Sequence, residues 1–122
     1  MNTHPLFEYS SLLTNAIRSK LKISHVGIHA VIKGADLCAW LNDNGFPTLT
    51  HRQMRHAIRE MRRQSVPICS AGGRGYFWPA SLDDVLQCRQ TEFQAKAKDM
   101  LYTGRKMYEG AISMFGNQRS LL

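Results

Sequence analysis

The sequence predicts a mainly α-helical fold with a small β-hairpin and a long C-terminal amphipathic helix. Three observations carry this reading. Apolar residues recur at helical spacing in four separate segments. Two short β-prone runs, Pro67-Ile68-Cys69-Ser70 and Gly75-Tyr76-Phe77-Trp78, flank the glycine-rich stretch Ala71-Gly72-Gly73-Arg74, as in a hairpin with a glycine tip. Finally, Leu82, Leu86, Arg89, Phe93, Ala97, Met100, Gly104, Met107 and Ala111 step by threes and fours, the stripe of a long surface helix.

In chain order, a first helix is expected over residues 6–22, where Leu6, Leu12, Leu13, Ile17 and Leu21 can share one face. The β-prone run His29-Ala30-Val31-Ile32 precedes Gly34. Asp36 to Asn42 reads as a short helix with Leu37, Cys38, Trp40 and Leu41 on its apolar face. Asn42-Asp43-Asn44-Gly45 stops it, because Asn and Gly tolerate the left-handed backbone at helix ends. Phe46-Pro47 then imposes an extended turn. The next helix is expected over 50–64. Thr50 and Gln53 have the spacing of a capping box, and Pro67 cannot continue a helix. The hairpin occupies 67–78. Ser81-Leu82-Asp83-Asp84 opens the last helix, with acids in the first turn where the helix dipole favours them. The expected organisation is one domain over 1–80 and one helix over 81–115 for packing or dimerisation, with 116–122 frayed.

Composition narrows the function classes. The chain has 122 residues, enough for one domain and an appendage. No run approaches the roughly 20 apolar residues of a membrane span, and Met1 to Tyr9 lacks a basic region followed by an apolar one. A cytoplasmic protein is therefore expected. Cys38, Cys69 and Cys88, an odd number lying far apart in the chain, are read as reduced thiols, with Cys38 and Cys88 as small core residues.

Charge is the most informative feature. Of the net +7, residues 50–80 hold +5, from six arginines against the single acid Glu60. A concentrated arginine patch points to a polyanionic partner. On a helical wheel, Met54, Ala57, Ile58 and Met61 fall together and face inward. Arg52, His56, Arg59 and Arg63 fall opposite in one stripe, with Arg55 and Arg62 along one side and Gln53 and Glu60 along the other. A helix fits the major groove of double-stranded DNA, and arginine matches the paired acceptors of guanine. The expected base-facing residues are His51, Arg52, Arg55 and His56, at the N-terminal end. Arg59, Arg62 and Arg63 are expected against the phosphate backbone, and Arg74, at the hairpin tip, in the adjacent minor groove or on a phosphate. The competing reading is an ordinary solvated charged face, but almost no acid interleaves here.

These residues resemble the winged helix-turn-helix of the biotin repressor's N-terminus and its relatives, the type-11 helix-turn-helix group. The similarity runs through Gly34-Ala35-Asp36-Leu37-Cys38-Ala39-Trp40-Leu41 and Thr50-His51-Arg52-Gln53-Met54-Arg55-His56-Ala57-Ile58-Arg59-Glu60-Met61-Arg62. It continues through Pro67-Ile68-Cys69-Ser70 to Gly72-Gly73-Arg74-Gly75-Tyr76. The resemblance implies that the helix at Thr50 is a recognition helix, that 67–78 is the wing, and that the domain binds DNA. The connection from Asn42 to Leu49 is longer than the tight turn of that group, and the biotin-ligase chemistry of the repressor is not implied. One such domain with one C-terminal helix is similar in layout to small phage and prophage proteins.

Other chemistries find little support. His4, His25, His29, His51 and His56 never pair with a cysteine at zinc-ligand spacing. The glycines at 72, 73 and 75 follow a strand but open no helix, so they are no nucleotide-phosphate loop. Tyr76, Phe77 and Trp78 have the chemistry to stack single-stranded bases, but strand alternation favours packing on the core. No enzyme activity, cofactor, metal or small-molecule substrate is expected. The expected function is sequence-specific binding of double-stranded DNA by a transcriptional regulator or a replication or recombination accessory, with a possible homodimer through 81–112. The alternative is a winged-helix module that docks a larger replication or transcription protein.

Overall fold

The computed structural model describes residues 5–116, with side chains from residue 11 onward. Leu6 and the 117–122 tail therefore lie outside what can be compared with the expectations above. The chain divides between Cys88 and Arg89 into two compact units.

The main core of the first unit is built on three helices. Helix α1 (Pro5–Ser24) buries Leu13, Ile17 and Leu21, one residue per turn on one face. Leu12, expected on that face, is instead exposed: it sits next to Leu13 in the chain and so about 100° around the helix from it. Helix α2 (Gly34–Asp43) buries Leu37, Cys38 and Leu41. The turn that follows is held from within, because the Asn42 side-chain amide donates to the carbonyls of Phe46 (2.8 Å) and Leu49 (3.0 Å). That pairing seats Phe46 and Leu49 in the core and compensates for the length of the connection. Helix α3 (His51–Arg63) closes the cluster with Met54, Ala57, Ile58 and Met61. Each fully buried aliphatic side chain here is worth roughly 1.5–3 kcal/mol in transfer free energy.

A narrow sheet covers the open end of this core. Strands β1 (Cys69–Ser70) and β2 (Tyr76–Phe77) pair antiparallel, with Cys69 opposite Phe77 and Ser70 opposite Tyr76. The run at 29–32 is not a strand. Residues Ile28–Ala30 form one 3-10 turn, and only Ile32 pairs, exchanging both backbone bonds with Tyr76 at 2.9 and 2.8 Å. Further on, Trp78 bridges Val26 in a parallel sense, its N–H donating to the His25 carbonyl (2.7 Å) and its carbonyl accepting from the Gly27 N–H (2.8 Å). Tyr76 thus lies between Ser70, opposite it in the hairpin, and Ile32, which takes both of its backbone bonds. Gly72, Gly73 and Gly75 all have positive φ, as the hairpin tip requires. Phe77 is buried, while Tyr76 and Trp78 lie half-buried against the core, so the aromatic run is a packing element.

Helix α4 (Leu82–Cys88) belongs to this first unit, so the division falls later than the expected 80/81 boundary. Cys88 and Val85 pack with Cys69 and Phe77 in a second small cluster. Its start is held by the Asp84 carboxylate, which accepts from the Ala80 N–H at 2.8 Å. Cys69 and Cys88, remote in sequence, are neighbours here, and the Cys88 sulfur accepts from the Ser70 N–H. Burial, with Cys88 alongside, pushes the Cys69 thiol from 9.0 up to about 12. A thiol reagent at neutral pH should therefore label Cys38, Cys69 and Cys88 only at the rate of unfolding. Because the native state keeps a proton that the unfolded chain has lost, the contribution of Cys69 to stability is complete below pH 9 and declines towards pH 12. The alkaline fall in the urea midpoint should be shallower in Cys69→Ala.

The described part of the second unit is a π-helical segment, Arg89–Gln94, leading into helix α5 (Ala95–Phe115). The π segment was not expected. Its wider turn breaks the 3.6-residue spacing, so the stripe counted from Leu82 to Ala111 is in phase only from Ala95 onward. No residue of α5 is buried. No helix among the described residues is long and apolar enough to cross a membrane.

Candidate nucleic-acid interface

The arginine-rich helix begins where local chemistry dictates. Thr50 Oγ1 accepts from the Gln53 N–H (3.1 Å), and Gln53 Oε1 accepts from the Thr50 N–H (2.9 Å), a complete capping box. The start is therefore held by side chains within the segment itself. With Met54, Ala57, Ile58 and Met61 seated in the core, the opposite face of α3 must project outward.

Most of the expected residues do so. His51, Arg52, Arg55, His56, Arg59 and Arg63 are all exposed, as is Arg74 at the hairpin tip. The guanidinium groups of Arg52, Arg55, Arg59 and Arg74 make no hydrogen bond or ion pair with any described residue, and the Arg74 backbone N–H donates to the Ala71 carbonyl. From Arg52 to Arg63 the face extends about 16 Å along the helix axis. Arg63 pairs with Glu60 at 3.0 Å, but both groups are solvent-exposed. Such a pair is worth under about 1 kcal/mol and yields readily to a stronger anion.

Arg62 departs from expectation. Its Nε donates to the Ile68 carbonyl (2.8 Å), its guanidinium donates to Ser70 Oγ (3.2 Å), and it lies 5.9 Å from the centre of the Tyr76 ring. It joins the end of α3 to the hairpin and is committed within the fold, not to the outward face. A helical wheel shows only which side of the helix Arg62 leaves from, not the carbonyl waiting there.

His51 is also more constrained than a freely projecting side chain. Its Nε2 packs against Gly34, where a Cβ would lie only 2.7 Å away and Tyr76 is adjacent. The ring therefore rests across the start of α2. Lys33 was missed at the level of sequence. It is exposed and sits beside Gly75, next in the chain to Arg74, because the Ile32–Tyr76 pairing brings residues 32–33 to the hairpin. No local pattern around Lys33 signals that pairing.

The result is a helix face of guanidinium groups and a glycine hairpin that carries Arg74 and stands beside Lys33, with Glu60 as the one acid on α3. Chemically it is suited to holding a row of anionic oxygens and, with arginine forks, planar acceptor pairs. No family model, no curated protein and no solved structure matches this chain.

Proposed function

We propose that the first unit is a winged helix-turn-helix that binds double-stranded DNA, with α3 as the recognition helix and residues 67–78 as the wing. The observation that carries this reading is the outward row Arg52, Arg55 and Arg59, whose guanidinium groups have no partner among the described residues, on a helix whose other face is buried. Holding three like charges side by side without acids is unfavourable for the isolated fold, and a phosphate-lined groove relieves it. His51, Arg52, Arg55 and His56, in the first two turns, read base edges. Arg59 and Arg63 bind backbone phosphates, and Arg74 reaches the neighbouring groove from the wing. This is the binding mode of a transcriptional regulator or of an accessory in replication or recombination.

Anisotropy titrations of a labelled duplex across a salt series test the proposal. Each neutralised phosphate contributes about −0.9 to the slope of log K against log salt, so the phosphate-binding Arg59 and Arg63 together contribute roughly −1.8 to it. Against a random duplex library, Arg52→Ala should relax base preference, whereas Arg59→Ala should weaken all sequences alike. Salt-independent binding, or Arg52→Ala and Arg59→Ala proteins that select and bind duplexes as the unaltered chain does, would rule out this surface.

A further inference from the structure

Helix α5 has no interior of its own. None of its residues is buried, and Met100, Leu101, Met107, Tyr108, Met114 and Phe115 are each more than half exposed. Those six side chains leave on the order of 700 Å² of apolar surface in water, close to the ~800 Å² that one partner gives to a standard interface and above what a monomer usually exposes. Glycines make the helix weaker still. Gly104 and Gly110 each cost about 1 kcal/mol against alanine, and a Cβ at either would meet nothing within 4 Å. Packing against the described residues does not explain them.

From Ala97 onward the sequence follows a seven-residue repeat in which a small residue (Ala97, Gly104, Ala111) alternates with a methionine (Met100, Met107, Met114). These are the two seam positions of a coiled coil. Leu101, Tyr108 and Phe115 border the seam on one side. Lys98, Asp99, Arg105, Lys106 and Glu109 fall off it. The outer face is already occupied, by the Lys106–Glu109 pair at 3.2 Å and by Arg105 and Lys106 over the Tyr102 ring.

We propose that this face is covered by α5 of a second copy of the chain, running antiparallel. Volume decides both the partner and the direction. In an antiparallel pair each small position faces a large one: Ala97 meets Met114 of the second copy, Met100 meets Ala111, and Gly104 meets Met107. That register aligns α5 over its whole length. A parallel pair would stack glycine on glycine, leaving a void, and methionine on methionine, crowding the layer. It would also set the helix dipoles side by side in the same sense. The antiparallel seam buries no charged group, and Gly104 and Gly110 let the backbones approach closely.

This inference does not depend on DNA binding. It is tested on the full chain by light scattering coupled to size exclusion, with far-ultraviolet circular dichroism in parallel. The unaltered chain should have the mass of two copies at micromolar concentration. Gly104→Leu improves helix propensity, and its Cβ meets no described residue within 4 Å, so a role confined to the monomer predicts unchanged mass. The expected result is the mass of one copy, and Gly104→Leu combined with Met107→Ala should restore two. After mild oxidation of a mixture, Ala97→Cys and Met114→Cys chains should cross-link to each other. One-copy mass for the unaltered chain, two-copy mass for Gly104→Leu alone, or cross-links only between identical variants would overturn the proposal.

Discussion

Gly75→Ala is expected to be the most damaging single substitution in the first unit. Gly75 has a φ of +128°, a conformation in which side chains are strained, and strain of this kind costs about 1–3 kcal/mol. Crowding adds to it. A Cβ at Gly75 would collide with the Ile32 carbonyl oxygen and would lie 2.6 Å from the Ile32 carbonyl carbon and 2.8 Å from Lys33 Cα. All three are backbone atoms, so no side chain can swing aside. Relief requires the Ile32 segment to move away, breaking the two bonds it exchanges with Tyr76, each worth about 1 kcal/mol. The expected loss is on the order of 3–5 kcal/mol, and at about 4–8 °C per kcal/mol for a domain this small the melting temperature falls by some tens of degrees. Gly73→Ala is the control. Its φ is +79°, but nothing lies within 4 Å of its would-be Cβ, so only strain of about 1 kcal/mol remains. Thermal unfolding of both variants decides the matter: similar midpoints would mean that Ile32 and the hairpin do not form the tight backbone pair described above.

The contrast between these two glycines shows what the sequence exposes and what it hides. The positive-φ demand of the tip was legible, because Ala71-Gly72-Gly73-Arg74-Gly75 lies between two β-prone runs. That Gly75 also admits a third segment depends on Ile32, more than forty residues earlier, and no local pattern reports such a pairing. The same division runs through α3. Its capping box, its inward Met54, Ala57, Ile58 and Met61 and its outward Arg52, Arg55 and Arg59 all follow from spacing within thirteen residues, and all were legible. The proximity of Cys69 to Cys88, the pocket that accepts Arg62 and the placement of Lys33 depend on tertiary contacts, and none was legible. Leu12 and the π segment Arg89–Gln94 failed for another reason: periodicity locates a stripe only to within a residue and assumes that the turn stays uniform.

Arg62 and Arg59, three residues apart on one helix, should respond to alanine in opposite ways, and this separates the fold from the interface. Arg62 carries two charge-assisted bonds to the hairpin, at 2.8 Å to the Ile68 carbonyl and 3.2 Å to Ser70 Oγ, and lies over the Tyr76 ring. A hydrogen bond from a charged group contributes about 1.5–3 kcal/mol, and the ring contact adds up to about 1. Because the guanidinium is half-buried and partly solvated, the expected cost of Arg62→Ala lies near the lower end, about 2–3 kcal/mol. Arg62→Lys should recover little, since an ammonium cannot reproduce the fork that spans the carbonyl and the hydroxyl. Arg59→Ala removes an exposed group with no partner among the described residues and should leave the stability within about 0.5 kcal/mol of the unaltered chain. On duplex DNA the order reverses. At a temperature where both variants are folded, Arg59→Ala should reduce the salt slope by about 0.9, while Arg62→Ala should keep the slope and lose only what a loosened hairpin costs in the placement of Arg74. If Arg62→Ala instead unfolds like the unaltered chain and loses a full phosphate from the slope, then Arg62 faces the nucleic acid and the helix–hairpin link must be held by other groups. If Arg59→Ala changes stability and not the slope, the guanidinium row belongs to the fold, and the interface has to be sought on another surface.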